Sequence, residues 1–266
     1  MRRLKKFGIV LAILYVLLVI SAYYFQERLI FFPQNMPLNH TYEFCQNFEE
    51  FDLMAKDGAK LNAVHIKQDG ARGVVLYFHG NSGNISHLSH VSNLLEQKGY
   101  DAILVDYRTY GKSTGELSEE ALKKDAQLFY NHALTTYDEK NIVLYGRSFG
   151  TGIASGLAAA NQPGKLILES PFYSAVSLGK HRFPILPVGW LSEFRFPSNE
   201  YLQKVSCPIY IFHGTEDKVI PYEFAEKLYK EIPLTTVKKL YTVEGAGHNY
   251  LQDFDAFKEG MAEAFK

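Results

Sequence analysis

From residue 73 onward the chain alternates short, nearly unbroken apolar runs with longer stretches of helical spacing. GVVLYFHG (73–80), YDAILVDY (100–107), NIVLYG (141–146), KLILES (165–170), CPIYIFHG (207–214) and TVKKLYTV (236–243) read as strands. Between them, 86–98 sets Leu88, Val91, Leu94 and Leu95 on one side of a helix. Residues 118–137 start at Ser118 as N-cap, 149–161 are rich in small residues, 221–232 open on a proline, and 253–265 form a closing amphipathic helix. Ahead of these, EEFDLMAKDGAKLNAVHI (49–66) reads as two strands around a KDG turn. Strands that are apolar throughout need cover on both faces. The pattern therefore predicts an α/β class with a mostly parallel central sheet and helices on both sides. In such a sheet the loops that carry chemistry lie at the carboxyl ends of the strands.

The first residues follow a different pattern. MRRLKK supplies four positive charges, and FGIVLAILYVLLVISAYYF (7–25) carries none. About 20 mostly apolar residues suffice to cross a bilayer. Basic residues hold their end in the cytoplasm, and Tyr23, Tyr24 and Phe25 suit the opposite interface. Residues 1–25 thus read as an anchor, 26–45 as a linker and 46–266 as an extracytoplasmic domain, periplasmic or luminal. The other reading is a cleaved signal peptide and a secreted domain. A cut after Ala22 would put Ile20 at the third position back, where a small residue is usual.

Composition narrows this picture only a little. At 266 residues the chain suits one sizeable domain, and its net charge of -1, with no basic block past the first residues, argues against nucleic-acid binding. Cys45 and Cys207 form no CxxC pair, so a cysteine zinc site is not expected. An exported domain could pair them, but nothing in the sequence brings them together.

Candidate chemistry centres on LYGRSFGTG (144–152), where Ser148 stands between Gly146 and Gly150 at the joint of a strand and a helix. Glycines here could mark no more than a tight turn. G-x-S-x-G at such a joint is also the nucleophile elbow of serine hydrolases. A serine hydroxyl needs a base, the base needs a carboxylate, and the developing oxyanion needs donors. Asp217 follows the strand at 207–214 and His248 the strand at 236–243, so Ser148, Asp217 and His248 come in the required order at one sheet edge. Singly, the aspartate could cap a helix and the histidine could sit in solvent. The backbone N–H of Phe149 would be one oxyanion donor, and that of Asn81, beside the permissive Gly80, the other. His79 precedes the serine and reads as structural. Such a triad calls for no metal and no cofactor.

FHGNSGN (78–84), DYRTYGKSTG (106–115), GRSFG (146–150), HGTEDKVIP (213–221) and GAGHN (245–249) together resemble the α/β-hydrolase family. They are most similar to its membrane-anchored branch of serine hydrolases, which includes eukaryotic protein depalmitoylases and bacterial members. The hydrophobic N-terminus followed by LIFFP strengthens the likeness, which covers about residues 26–266. One position departs: Thr109 stands where the branch usually has glycine, and threonine tolerates a positive φ poorly. Asp106 and Arg108 read as a structural pair.

Residues 171–200 break the strand–helix rhythm at the place where this fold carries a lid. Their aromatic residues, with Phe172, Tyr173 and Trp190 foremost, suit an apolar acyl or aromatic group, or simply pack the lid onto its body. Position 148 is neither aspartate nor cysteine, and no H-E-x-x-H, P-loop or dinucleotide fingerprint is present. Three readings follow. The first is a serine esterase or thioesterase on acyl substrates at a membrane, the second a peptidase of the same fold, and the third a silent binding module. Oligomeric state is not legible.

Overall fold

The computed structural model describes residues 2–266. Among them, eight strands form one sheet: β1 (Asn47–Met54), β2 (Lys60–Lys67), β3 (Val74–Phe78), β4 (Asp101–Val105), β5 (Ile142–Arg147), β6 (Lys165–Glu169), β7 (Ile209–Gly214) and β8 (Lys238–Val243). Their order is β8-β7-β6-β5-β3-β4-β2-β1. β1 pairs antiparallel with β2, and β2 with β4; all other pairs are parallel. β1, at the sheet edge, alternates exposed and half-buried residues, whereas β2, between β1 and β4, is buried from Leu61 to Ile66.

Every residue of β3 and β4 is buried, as an unbroken apolar run requires. Successive side chains leave a strand on opposite faces, so each strand feeds two cores. Leu76, Ile103, Leu144, Leu168 and Ile211 meet helices α3 (Glu119–Ala133), α4 (Gly150–Ala160) and α8 (Tyr222–Glu231). Val75, Tyr77, Leu104, Tyr145 and Phe212 meet α2 (Ser89–Gln97) and α9 (Asp255–Ala264). The Ser118 side chain accepts the Ala121 N–H at 3.1 Å and caps α3, as its position suggested. Between β6 and β7 lie three short helices, α5 (Ala175–Arg182), α6 (Val188–Leu191) and α7 (Ser198–Leu202).

The amino-terminal helix α1 runs without a break from Arg2 to Ile30, five residues past the expected end of the anchor. It is long and apolar enough to cross a membrane, and none of its apolar window is buried by protein. The stretch expected to be a linker is therefore helical up to Ile30, and beyond that it is docked rather than free. Phe31 and Tyr42 are buried, and 32–33 pair in parallel with 82–83.

Thr109 adopts the glycine-like conformation after all, with φ +69°, and its buried hydroxyl has no partner. The turn is held by its neighbours: Tyr110 N–H donates to Tyr107 and Gly111 N–H to Gln34. A left-handed non-glycine residue costs about 1–2 kcal/mol, partly offset by the extra chain entropy of glycine. Thr109→Gly is therefore expected to stabilise the fold by about 1 kcal/mol. A rise in denaturant midpoint with unchanged slope would show it, and a lower midpoint would contradict the strain. Asp106 and Arg108 do not form the expected pair. Asp106 accepts the Ile85 N–H at 3.0 Å, while Arg108 bonds Asp125 and Asp57.

Candidate active site

The sheet order decides where the site falls. β5 pairs with β3, with Gly146 opposite Phe78, so the loops after these two strands emerge side by side. That is a point where the strand order reverses, the usual crevice of an open α/β sheet. Ser148 sits at φ +52° between β5 and α4, and its N–H donates to the Glu169 carbonyl at 2.8 Å. The flanking glycines are a steric requirement. A Cβ on Gly150 would lie 2.1 Å from the Phe78 carbonyl oxygen, and one on Gly146 would lie 2.5 Å from the Gly150 carbonyl oxygen. The two glycines let α4 start hard against the end of β3, which tips the serine out of the strand direction.

Two neighbouring loops complete the arrangement. His248 Nε2 is 2.9 Å from Ser148 Oγ, and His248 Nδ1 is 2.7 Å from Asp217 Oδ2. Asp217 Oδ1 accepts the N–H groups of Val219 and Ile220, each at 2.8 Å. The loops are tied to each other as well. Glu216 N–H donates to Ala246, Gly245 N–H donates to Thr215 Oγ1, and Gly214 leaves no room for a side chain against Ala246. Next to His248, Asn249 accepts Arg147 Nη2 at 2.6 Å, and Arg147 Nε donates to Glu169.

Burial alone would raise the Asp217 carboxyl. Hydrogen bonds from His213 and His248 and from the Ile220 N–H outweigh it and hold the group well below the usual carboxylate range. The folded value lies below the unfolded one, so these bonds stabilise the fold above pH about 4 and are lost on further acidification. His213 was not singled out in the sequence. It is fully buried at the end of β7, with Nε2 3.2 Å from Asp217 Oδ2 and 2.9 Å from the Ile220 carbonyl. The available signal was the repeated F-H-G: His79 ends β3 in the same way, with Nε2 3.4 Å from Asp106 and Nδ1 2.6 Å from the Gly80 carbonyl. The His79 ring faces Asp106 and the Gly80 carbonyl rather than Ser148 or His248.

The loop after β3 passes close to the serine, since a Cβ on Gly80 would lie 3.7 Å from Ser148 Cβ. The Asn81 side chain donates to the Ile30 carbonyl at 2.6 Å, and the Asn81 carbonyl accepts the Phe32 N–H and the Tyr110 hydroxyl. Among the described residues, the backbone N–H groups of Asn81 and Phe149 donate to no protein acceptor. Cys45 and Cys207 are both free, and burial pushes the Cys207 thiol up to about 12, which leaves it unreactive.

Above the serine lies a cavity of about 290 Å³, with Ser148, Phe149 and Asn81 in its wall. Phe172, Phe183 and Phe194 line it. Tyr173 and Trp190 do not, and both expectations are corrected. The Tyr173 hydroxyl donates to Glu231 on α8 at 2.8 Å, with Lys227 Nζ 4.0 Å from the ring centre, so the ring is turned away. Trp190 lies on the outer side of α6 and is 92% exposed. The wall that sequence reasoning missed comes from α1: Ala22, Gln26, Leu29 and Ile30. An all-round apolar helix gives no sign of which side meets protein.

The mostly parallel sheet, the elbow and the two partner loops define an α/β hydrolase. The chain belongs to the family described as "Serine aminopeptidase, S33", which it matches over residues 69–198 and 197–255. It is 30% identical over 228 residues to an uncharacterized protein of Mycobacterium tuberculosis, covering 84% of this chain and 80% of that one. It is also 29% identical over 236 residues to the lysophosphatidylserine lipase ABHD12 of Danio rerio, covering 74% of this chain and 60% of the lipase. Among solved structures, the Pyrococcus furiosus esterase Pf2001 superposes with a TM-score of 0.67 at 21% identity, over 87% of this chain and 97% of the esterase. The protein is a hydrolase.

Proposed function

We propose that the protein is a membrane-anchored serine hydrolase that cleaves carboxylic ester or thioester bonds of acyl substrates. The observation that carries this reading is the continuous hydrogen-bond chain Ser148–His248–Asp217 at the floor of an apolar cavity. His248 Nε2 takes the Ser148 proton as Oγ attacks the acyl carbonyl, and Asp217 stabilises the imidazolium that forms. The N–H groups of Asn81 and Phe149 receive the oxyanion. His248 then protonates the leaving alcohol or thiol, and water releases the acyl group from the serine by the same steps. Lipase activity in the Danio rerio relative supports the acyl reading. Arg2, Arg3, Lys5 and Lys6 before the span support a cytoplasmic N-terminus, with the catalytic domain on the far side.

Cleavage of aminoacyl substrates is the second reading, favoured by the description of the matched family. An aminopeptidase must hold a free ammonium, yet the cavity wall carries no carboxylate among the described residues; its one charged residue is Arg182. A series of p-nitrophenyl esters, acyl thioesters and aminoacyl amides separates the two. Each methylene buried along the cavity adds about fourfold in kcat/KM, from about 0.8 kcal/mol per CH₂, so activity rises from acetyl towards medium chains. Amides cleaved faster than all esters and thioesters, after correction for the leaving group, would overturn the acyl reading.

A further inference from the structure

The lid runs alongside α1 and is tied to it at three levels. Gln26 Oε1 accepts the Glu193 N–H at 2.9 Å, and Gln26 Nε2 donates to the Leu191 carbonyl at 3.3 Å. Tyr23 donates to the Glu193 carboxylate at 3.1 Å. Tyr15 donates to the Ile185 carbonyl at 2.9 Å. Between Glu193 and Ile185 the lid therefore descends the helix from Gln26 to Tyr15, about 16 Å at 1.5 Å per residue. Tyr15 stands about 15 Å before the end of the apolar stretch at Phe25, half the thickness of a hydrocarbon layer of roughly 30 Å. With α1 spanning a bilayer, the lid tip cannot lie in water.

The tip is built for such a place. Its sequence, FPILPVGW (183–190), is apolar, and the side chains of Ile185 and Trp190 are 67% and 92% exposed. Its backbone is also nearly self-sufficient. Pro184 and Pro187 carry no N–H, and the N–H groups of Phe183, Leu186, Val188 and Trp190 donate to Gly179, Phe183, Leu186 and Pro187. Each backbone polar group left unpaired at membrane depth costs several kcal/mol, so the paired groups favour insertion, while the Ile185 and Gly189 N–H groups have no backbone acceptor. Tyr15, alone among aliphatic neighbours in mid-span, supplies the partner for the Ile185 carbonyl. Higher on the lid, Lys180 Cε lies 3.5 Å from where a Gly189 Cβ would sit, which puts a cation level with Trp190 as at a headgroup boundary. The cavity follows the same direction, from Ser148 past Ile30 and Gln26 to Ala22, a residue of the apolar stretch.

We propose that residues 183–190 insert into the leaflet on the side of the catalytic domain, and that the cavity opens sideways into that leaflet between α1 and the lid. The substrate is then an acyl ester resident in the bilayer, whose chain reaches Ser148 without crossing water. The substrate half of this statement rests on the acyl-hydrolase reading above; the insertion half rests only on α1 spanning the bilayer.

Trp190 is the one tryptophan of the chain, so the insertion can be read directly. In the full-length protein in phosphatidylcholine vesicles, Trp190 emission is quenched by bromines placed near the top of the acyl chains and shielded from aqueous acrylamide. Ready quenching by acrylamide with none by the bromolipid overturns the insertion. For entry, the variant Ile185→Glu, which changes a residue outside the cavity wall, loses at least tenfold in hydrolysis of a long-chain ester embedded in the same vesicles. Its rate on a short water-soluble ester stays unchanged, which also shows that it folds. Equal rates for variant and parent on the embedded ester overturn lateral entry. If the parent cleaves neither ester, the acyl-ester reading falls, and the quenching result still decides the place of the lid.

Discussion

Ser148→Ala is expected to lower kcat for any acyl substrate by about 10⁶-fold and to abolish labelling by a fluorophosphonate. The side chain makes one hydrogen bond, to His248 Nε2, and the backbone contacts of the elbow belong to the main chain and the two glycines. Alanine keeps those contacts and meets the same φ of +52°, so the fold should be unchanged within about 0.5 kcal/mol. Activity and labelling are then lost without unfolding, which separates a nucleophile from a merely structural serine. Undiminished labelling of the variant would move the nucleophile elsewhere. Absence of labelling in the parent protein would promote the reading of a silent binding module.

The parts of this molecule set by short-range rules were legible in the sequence. Buried strands such as VVLYF and the AILV of β4 can be apolar throughout only in a covered parallel sheet, and both are fully buried. Gly146 and Gly150 marked a tight strand–helix joint, and in the structure a side chain on Gly150 would meet the end of β3 and one on Gly146 the first residues of α4. What was not legible depends on which of two apolar surroundings a side chain meets. Trp190 and Phe172 look alike in a lid sequence, yet one faces outward and the other is buried under it. Ala22, Gln26 and Leu29 read as anchor or linker, whereas they wall the cavity. Cutting the chain after residue 25 would leave Gln26, Leu29 and Ile30 in place but remove Ala22 and the Tyr15 and Tyr23 ties to the lid. His213 escaped because residue type alone does not tell a histidine that braces Asp217 from a solvated loop histidine, and only the shared F-H-G marked it.

The second large effect concerns Asp217. Its two carboxylate oxygens face different partners. Oδ1 accepts two N–H groups, from Val219 and Ile220, and Oδ2 faces His248 Nδ1 and His213 Nε2. In Asp217→Asn the amide oxygen satisfies the two backbone donors, since an NH₂ group there would leave both unpaired at a buried site. The amide nitrogen then faces His248 and presents a donor where the carboxylate was an acceptor. The imidazole must answer with an unprotonated Nδ1, which puts its proton on Nε2, the atom that should receive the Ser148 proton. Base catalysis fails through the wrong tautomer while the geometry survives, and the imidazolium loses its counter-charge as well. A fall in kcat of about 10⁴-fold is expected, with the affinity for a non-hydrolysable acyl ligand little changed. Titration of His248 by NMR in parent and variant would show the tautomer directly. A variant that keeps a tenth or more of the parental kcat would mean that Asp217 only braces its loop, and the proton path from Ser148 would need another carboxylate.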